Sequence, residues 1–139
     1  MHARRSVFIC LVIAVAALAA ALPAVGKDGV KATLTTRVPL TAPAGAKLRI
    51  AWSLTYRDEH GRRRPFGGEG IFVRLLGRSR GASKTAFAHG TAGGYAATVR
   101  VPEGGIRAIQ IGIEGWSSGP NGMSRADELF PITNDPRRG

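Results

Sequence analysis

Ten consecutive residues, Arg57 to Phe66, read RDEHGRRRPF and gather the densest set of chemically capable side chains in the chain. Asp58, Glu59 and His60 are of the types that ligate a cation, whereas Arg62, Arg63 and Arg64 are of the type that holds an anion. With His89 and Met123 they make a set that copper would accept, a carboxylate such as Asp58 or Glu59 serving the oxidised ion. His60, His89 and Met123 are widely spaced and show no H-x-H or M-x-x-M clustering. Copper is therefore the alternative, and no cofactor is the leading expectation.

Catalysis is less well supplied. A serine hydrolase needs a nucleophile, a histidine and an orienting acid within hydrogen-bond reach. Beyond residue 26 the histidines are His60 and His89, there is no G-x-S-x-G turn, and Ser117 and Ser118 lie in a Gly/Pro loop with no evident base. Asp58, Glu59, Glu69, Glu103, Glu114, Asp127 and Glu128 fall mostly in or beside expected turns, where carboxylates cap backbone N–H groups rather than face each other across a sugar. Gly67-Gly68-Glu69-Gly70 has the glycines of a phosphate cradle but leads into a strand and carries a repelling carboxylate. The chain is expected not to be an enzyme.

The elements that position these residues alternate with period two. In Leu48-Arg49-Ile50-Ala51-Trp52-Ser53-Leu54-Thr55-Tyr56 the large apolar side chains take every second place, as on a strand with one buried face. Further strands are expected over residues 32–38, 71–76, 84–89, 95–101, 106–113 and 128–133, with Pro131 marking the last as an edge or a bulge. About seven short strands separated by Gly/Pro turns predict an all-β, antiparallel, immunoglobulin-like sandwich. Its core should hold Trp52, Leu54, Tyr56, Val73, Leu75, Tyr95, Val99, Ile109, Ile111 and Ile113. Asp58-Glu59-His60-Gly61 has the composition of a tight reversal, so its acids and histidine are turn residues first and the arginines open the return limb. Trp116 lies in a glycine-rich loop over residues 115–123, where a lid on the sandwich end is the ordinary role and recognition the alternative.

Ahead of this domain, Arg4 and Arg5 precede an apolar run of 16 residues from Val7 to Leu22, then Pro23 and the small residues Ala24 and Gly26. That layout predicts a secretory signal peptide over residues 1–26, with an apolar signal helix and cleavage before Lys27. The run is shorter than the roughly 20 residues a spanning helix needs, so membrane contact is expected only through an uncleaved signal segment. Residues 27–133 then form one domain, and 134–139, which hold no apolar side chain, a disordered tail. The domain has no cysteine, so it depends on its hydrophobic core. The full chain carries a net charge of +11, which becomes +9 without Arg4 and Arg5. Such a surface favours anionic neighbours. Export argues against a nucleic-acid partner, leaving an anionic cell-envelope polymer or another envelope protein.

Gly93-Gly94-Tyr95-Ala96-Ala97-Thr98-Val99-Arg100-Val101-Pro102 resembles the G-x-Y-x-A-x-V-x-V-P strand of small exported bacterial immunoglobulin-like domains of the YtkA-like and FixH-like type. Gly61 followed by Pro65 is a stretched form of the turn that precedes it there. The similarity covers roughly residues 31–114 and implies an exported, generally non-enzymatic domain, sometimes attached to copper or respiratory machinery. The expected function is accordingly that of a secreted or periplasmic binding or accessory domain. Arg62, Arg63, Arg64 and Trp116 are its candidate contacts, and His60, His89 and Met123 the ligands of the copper alternative.

Overall fold

The computed structural model describes residues 29–138, and the expected signal segment lies outside them. The described residues form an all-β structure with no helix. Its strands are β1 (Lys31–Leu34), β2 (Lys47–Arg57), β3 (Arg63–Pro65), β4 (Ile71–Gly77), β5 (Ser83–Phe87), β6 (His89–Thr91), β7 (Gly94–Arg100), β8 (Ile106–Ile113), β9 (Trp116–Gly119), β10 (Gly122–Arg125) and β11 (Glu128–Phe130). One antiparallel sheet runs β1-β2-β7-β6, with β3 also paired to β2; a second runs β11-β8-β4-β5; β9 and β10 make a separate ribbon.

Alternation decides what is buried. Ala32, Leu34, Ile50, Trp52, Leu54, Tyr95, Ala97 and Val99 point inward from the first sheet. Ile71, Val73, Leu75, Ile109, Ile111, Ile113 and Phe130 meet them from the second, so the two sheets share one core as a sandwich does. Each large side chain removed from water contributes roughly 1.5–3 kcal/mol, which is how a chain without disulfides there holds together. Trp52 and Tyr95, cross-strand partners on β2 and β7, stack at 6.3 Å. Tyr56, expected in the core, is only half-buried, because β2 has by then run past the second sheet into its hairpin.

Four strands were not expected, namely β3, β6, β9 and β10. All are wholly exposed, so no buried face imposes alternation on their sequences, and backbone pairing alone defines them. The first strand ends at Leu34 rather than Val38. Thr35 N–H donates to the Ala51 carbonyl at 2.9 Å and the Thr36 hydroxyl accepts from Ala51 N–H at 2.9 Å, which bends the chain away from β2. The last strand stops at Phe130, before Pro131, whose carbonyl accepts from Ala32 N–H at 2.9 Å and so ties the two sheets along one edge. The polar tail is anchored at its start: Asn134 accepts from Leu34 N–H at 2.8 Å and donates to its carbonyl at 2.9 Å. Asp135 is buried against Arg137.

Phe72 points to the outer face of the second sheet yet is fully buried. The Arg74 guanidinium stands 4.7 Å over its ring, Phe87 meets it edge-on at 6.4 Å, and Gly112 is its partner on β8. A methyl group at Gly112 would lie 2.5 Å from the Glu128 carbonyl oxygen and 2.8 Å from the Phe72 ring. Gly112→Ala is therefore expected to lose about 1–3 kcal/mol, read as a lower urea midpoint, by prising β11 from β8. Gly119→Ala, whose nearest neighbour would be 3.8 Å away, should stay within about 0.5 kcal/mol of the parent.

Candidate anion-binding groove

The stretch that gathers the acids, His60 and the arginines is the β2–β3 hairpin, and Asp58 organises it. The Asp58 Oδ1 accepts from His60 N–H at 3.0 Å and Arg62 N–H at 2.9 Å, while its backbone bonds Gly61 and Arg62. Gly61 sits at φ +73°, a conformation open to glycine at little steric cost. The Asp58 Oδ2 accepts from the Nε of Arg62 at 3.2 Å and of Arg64 at 3.0 Å. Desolvation pushes the Asp58 pKa up, but the Arg62 N–H, the Arg64 side chain, the His60 N–H and the Arg62 side chain outweigh it and hold the carboxyl below its ordinary value.

The arginine triplet is thereby divided. Successive side chains on a strand face opposite ways, so Arg62 and Arg64 turn to Asp58 while Arg63 turns to the outer face of the first sheet. There it stands directly across from Arg57, whose Nη1 donates to the Gly61 carbonyl at 2.7 Å. Lys31 is opposite Thr55 on the other flank of β2. Lys31, Arg57 and Arg63, with Thr33, Thr55 and Thr133, line a groove of about 500 Å³, and among the described residues no acidic side chain lies in its wall. The Thr33 and Thr133 hydroxyls are bonded to each other at 2.8 Å. Like charges placed directly opposite on neighbouring strands destabilise a sheet, so the groove is poised for a counter-charge. Lys31, Thr33, Thr55 and Arg57 were not singled out from the sequence, although they are the outward phase of the alternation that located the core.

Trp116 is not a lid. It is 58% exposed on the β9–β10 ribbon, opposite Arg125, and Met123, opposite Ser118, shares that ribbon at 65% exposed. The sandwich end is closed by Phe66 instead, which is buried and meets Phe130 edge-on at 5.7 Å. The ribbon is fastened at its base, where Arg125 pairs with Glu114 at 3.0 Å and Asp127 at 2.8 Å, and Asp127 pairs with Arg74 at 2.6 Å. The β2–β3 hairpin and the ribbon leave the same end of the sandwich. β2 reaches that end at Arg57, β8 reaches it at Ile113, and the link from β3 to β4 accepts at Gly70 O from Glu114 N–H at 2.9 Å. The candidate contacts Arg62–Arg64 and Trp116 thus share one end.

The copper candidates do not gather in the same way. His89 pairs with Ala96, which pairs with Ala51, whereas His60 lies beyond Arg57 at the hairpin tip. At about 3.3 Å per residue, the strand from Ala51 to Arg57 separates the two by roughly 20 Å. A site using both imidazoles would need two copies of the chain. His60 is exposed beside Glu59 at 3.7 Å, and Met123 is on the ribbon. Among the described residues no three His, Cys, Asp or Glu side chains group closely enough to hold a metal ion.

Asp127 and Asp135 are held low as well. Desolvation raises Asp127, but hydrogen bonds from Arg74 and Arg125 more than reverse it; for Asp135 the hydrogen bond from Arg137 dominates. A carboxylate whose folded pKa is depressed contributes stability that is complete above its unfolded value and disappears as pH falls through the folded one. With ordinary values of 3.8 for all three, the urea midpoint should be unaffected by these groups between pH 7 and 5 and fall steeply below pH 3.8. Asp127→Asn should flatten that fall.

No protein-family model, curated protein or solved structure matches this chain.

Proposed function

We propose that the chain is an exported, non-catalytic domain of immunoglobulin-like fold that binds an anionic polymer of the cell envelope through the groove of Lys31, Arg57 and Arg63. The observation that carries this reading is Arg57 facing Arg63 across neighbouring strands, with Lys31 beside them and no acid from the described residues in the groove wall. Guanidinium groups offer forked donors that match carboxylate and phosphate oxygens, and the Thr55 hydroxyl lies in the same groove beside them. Trp116 lies at the same end of the sandwich, and Arg62 and Arg64, bound to Asp58, hold the hairpin that presents Arg63. The apolar leader and the +11 net charge support the export and the anionic partner. The test is retention on isolated cell walls, followed as salt is raised. Binding through exposed charges should weaken several-fold between 50 and about 300 mM sodium chloride, as the Debye length shrinks below about 8 Å. Retention indifferent to salt would count against the groove.

A further inference from the structure

The opposite end of the sandwich carries a second basic hollow. β4 arrives there at Gly77, opposite Ile106 at the start of β8, and the turn over residues 78–82 leads into β5. Arg78 and Arg80 on that turn and Arg107 on β8 surround a hollow of about 430 Å³, together with Ser79 and Ser83. Arg107 is steadied by its Nε, which donates to the Gly77 carbonyl at 3.2 Å, and its two terminal nitrogens keep no protein partner among the described residues. Among the same residues, Arg78 and Arg80 make no hydrogen bond or ion pair through their side chains, and Glu103 on the neighbouring β7–β8 turn pairs with none of the three.

The turn that bears these arginines is braced. Gly77 N–H donates to the Ala82 carbonyl at 2.7 Å, and Ala82 N–H to the Ser79 carbonyl at 3.1 Å. Gly104, at φ +76°, packs so tightly that a methyl group on it would stand 2.8 Å from the Ser79 hydroxyl. Three guanidinium groups are thus held around one hollow with no counter-ion from the described residues, and a single monovalent anion would leave most of that charge unmet. We propose that this is a second oxyanion site, for a polymer with closely repeated phosphate groups. With the Lys31–Arg57–Arg63 groove roughly 35 Å away along β2, each copy would hold two polymer segments and cross-bridge them. The second site stands on its own residues, whereas the bridging rests on the function proposed above.

The test uses the full chain with inorganic polyphosphate. Short tripolyphosphate, titrated calorimetrically, should show two sites, and long-chain polyphosphate should produce light scattering as strands are bridged. Arg78→Ala with Arg80→Ala, both on the exposed turn, should leave the urea midpoint unchanged. The double variant should weaken the far-end site about two- to thirtyfold, the scale expected for removing two exposed charge pairs together, and suppress scattering while one site persists. Two undiminished sites and full scattering in that variant would overturn the inference. If Lys31→Glu with Arg63→Glu leaves scattering intact while the arginine variant suppresses it, the far-end site stands and the groove reading falls.

Discussion

Phe66→Ala is expected to cost about 3–4 kcal/mol of folding stability, the range for emptying a buried phenylalanine site. Phe66 follows β3 directly and drops its ring between the sheets against Phe130 at 5.7 Å. Its backbone is equally committed. The N–H donates to the Leu54 carbonyl at 2.9 Å, and the carbonyl accepts from Gly93 N–H at 3.2 Å and from the Tyr95 hydroxyl at 3.2 Å. Loss of the ring therefore leaves a cavity at a junction of β2, β3 and β7, and the basic hairpin next to it loses its footing. Trp116→Ala makes the contrast, since a side chain 58% exposed on a ribbon should change stability by about 0.5 kcal/mol or less. Urea denaturation of the two variants decides which aromatic closes the sandwich. A Trp116→Ala loss as large as that of Phe66→Ala would return the lid to the tryptophan.

That distinction shows where the sequence was readable. β2 and β7 are flanked by core on one side, and β4 and β8 set Ile71, Val73, Leu75 and Ile109, Ile111, Ile113 toward that core, so an apolar residue recurs at every second position and the pattern is visible without coordinates. The ribbon of Trp116–Gly119 and Gly122–Arg125 buries neither face, and its Ser and Gly residues carry no periodic signal. The arginine triplet was visible by composition alone. Its division by Asp58 follows from the register of β3 on β2, which a string of residues does not contain. The groove was hidden for a further reason. Thr133 meets Thr33 across 100 residues of sequence, through the contact of the chain after β11 with β1. Long-range pairing of that kind has no local signature.

Reversing the groove charges, Lys31→Glu with Arg63→Glu, should weaken retention on an anionic matrix by roughly ten- to a hundredfold at low salt. Each exposed pair is worth about 0.2–1 kcal/mol, and reversal both removes an attraction and adds a repulsion, so two sites give about 1–3 kcal/mol. The same change should leave folding stability unchanged or slightly raised. Glu at position 63 would face Arg57 directly across the β2–β3 pair, turning a like-charge contact into an opposite-charge one. Arg62→Glu with Arg64→Glu should behave in the opposite sense. Those arginines hold Asp58 at 3.2 and 3.0 Å, so their loss loosens the hairpin while the groove keeps its three cations. Binding and stability are thus expected to move apart in the two variants. Residues kept for the fold would make them move together, so a parallel loss of both in the Lys31/Arg63 variant would reduce the groove to a structural feature.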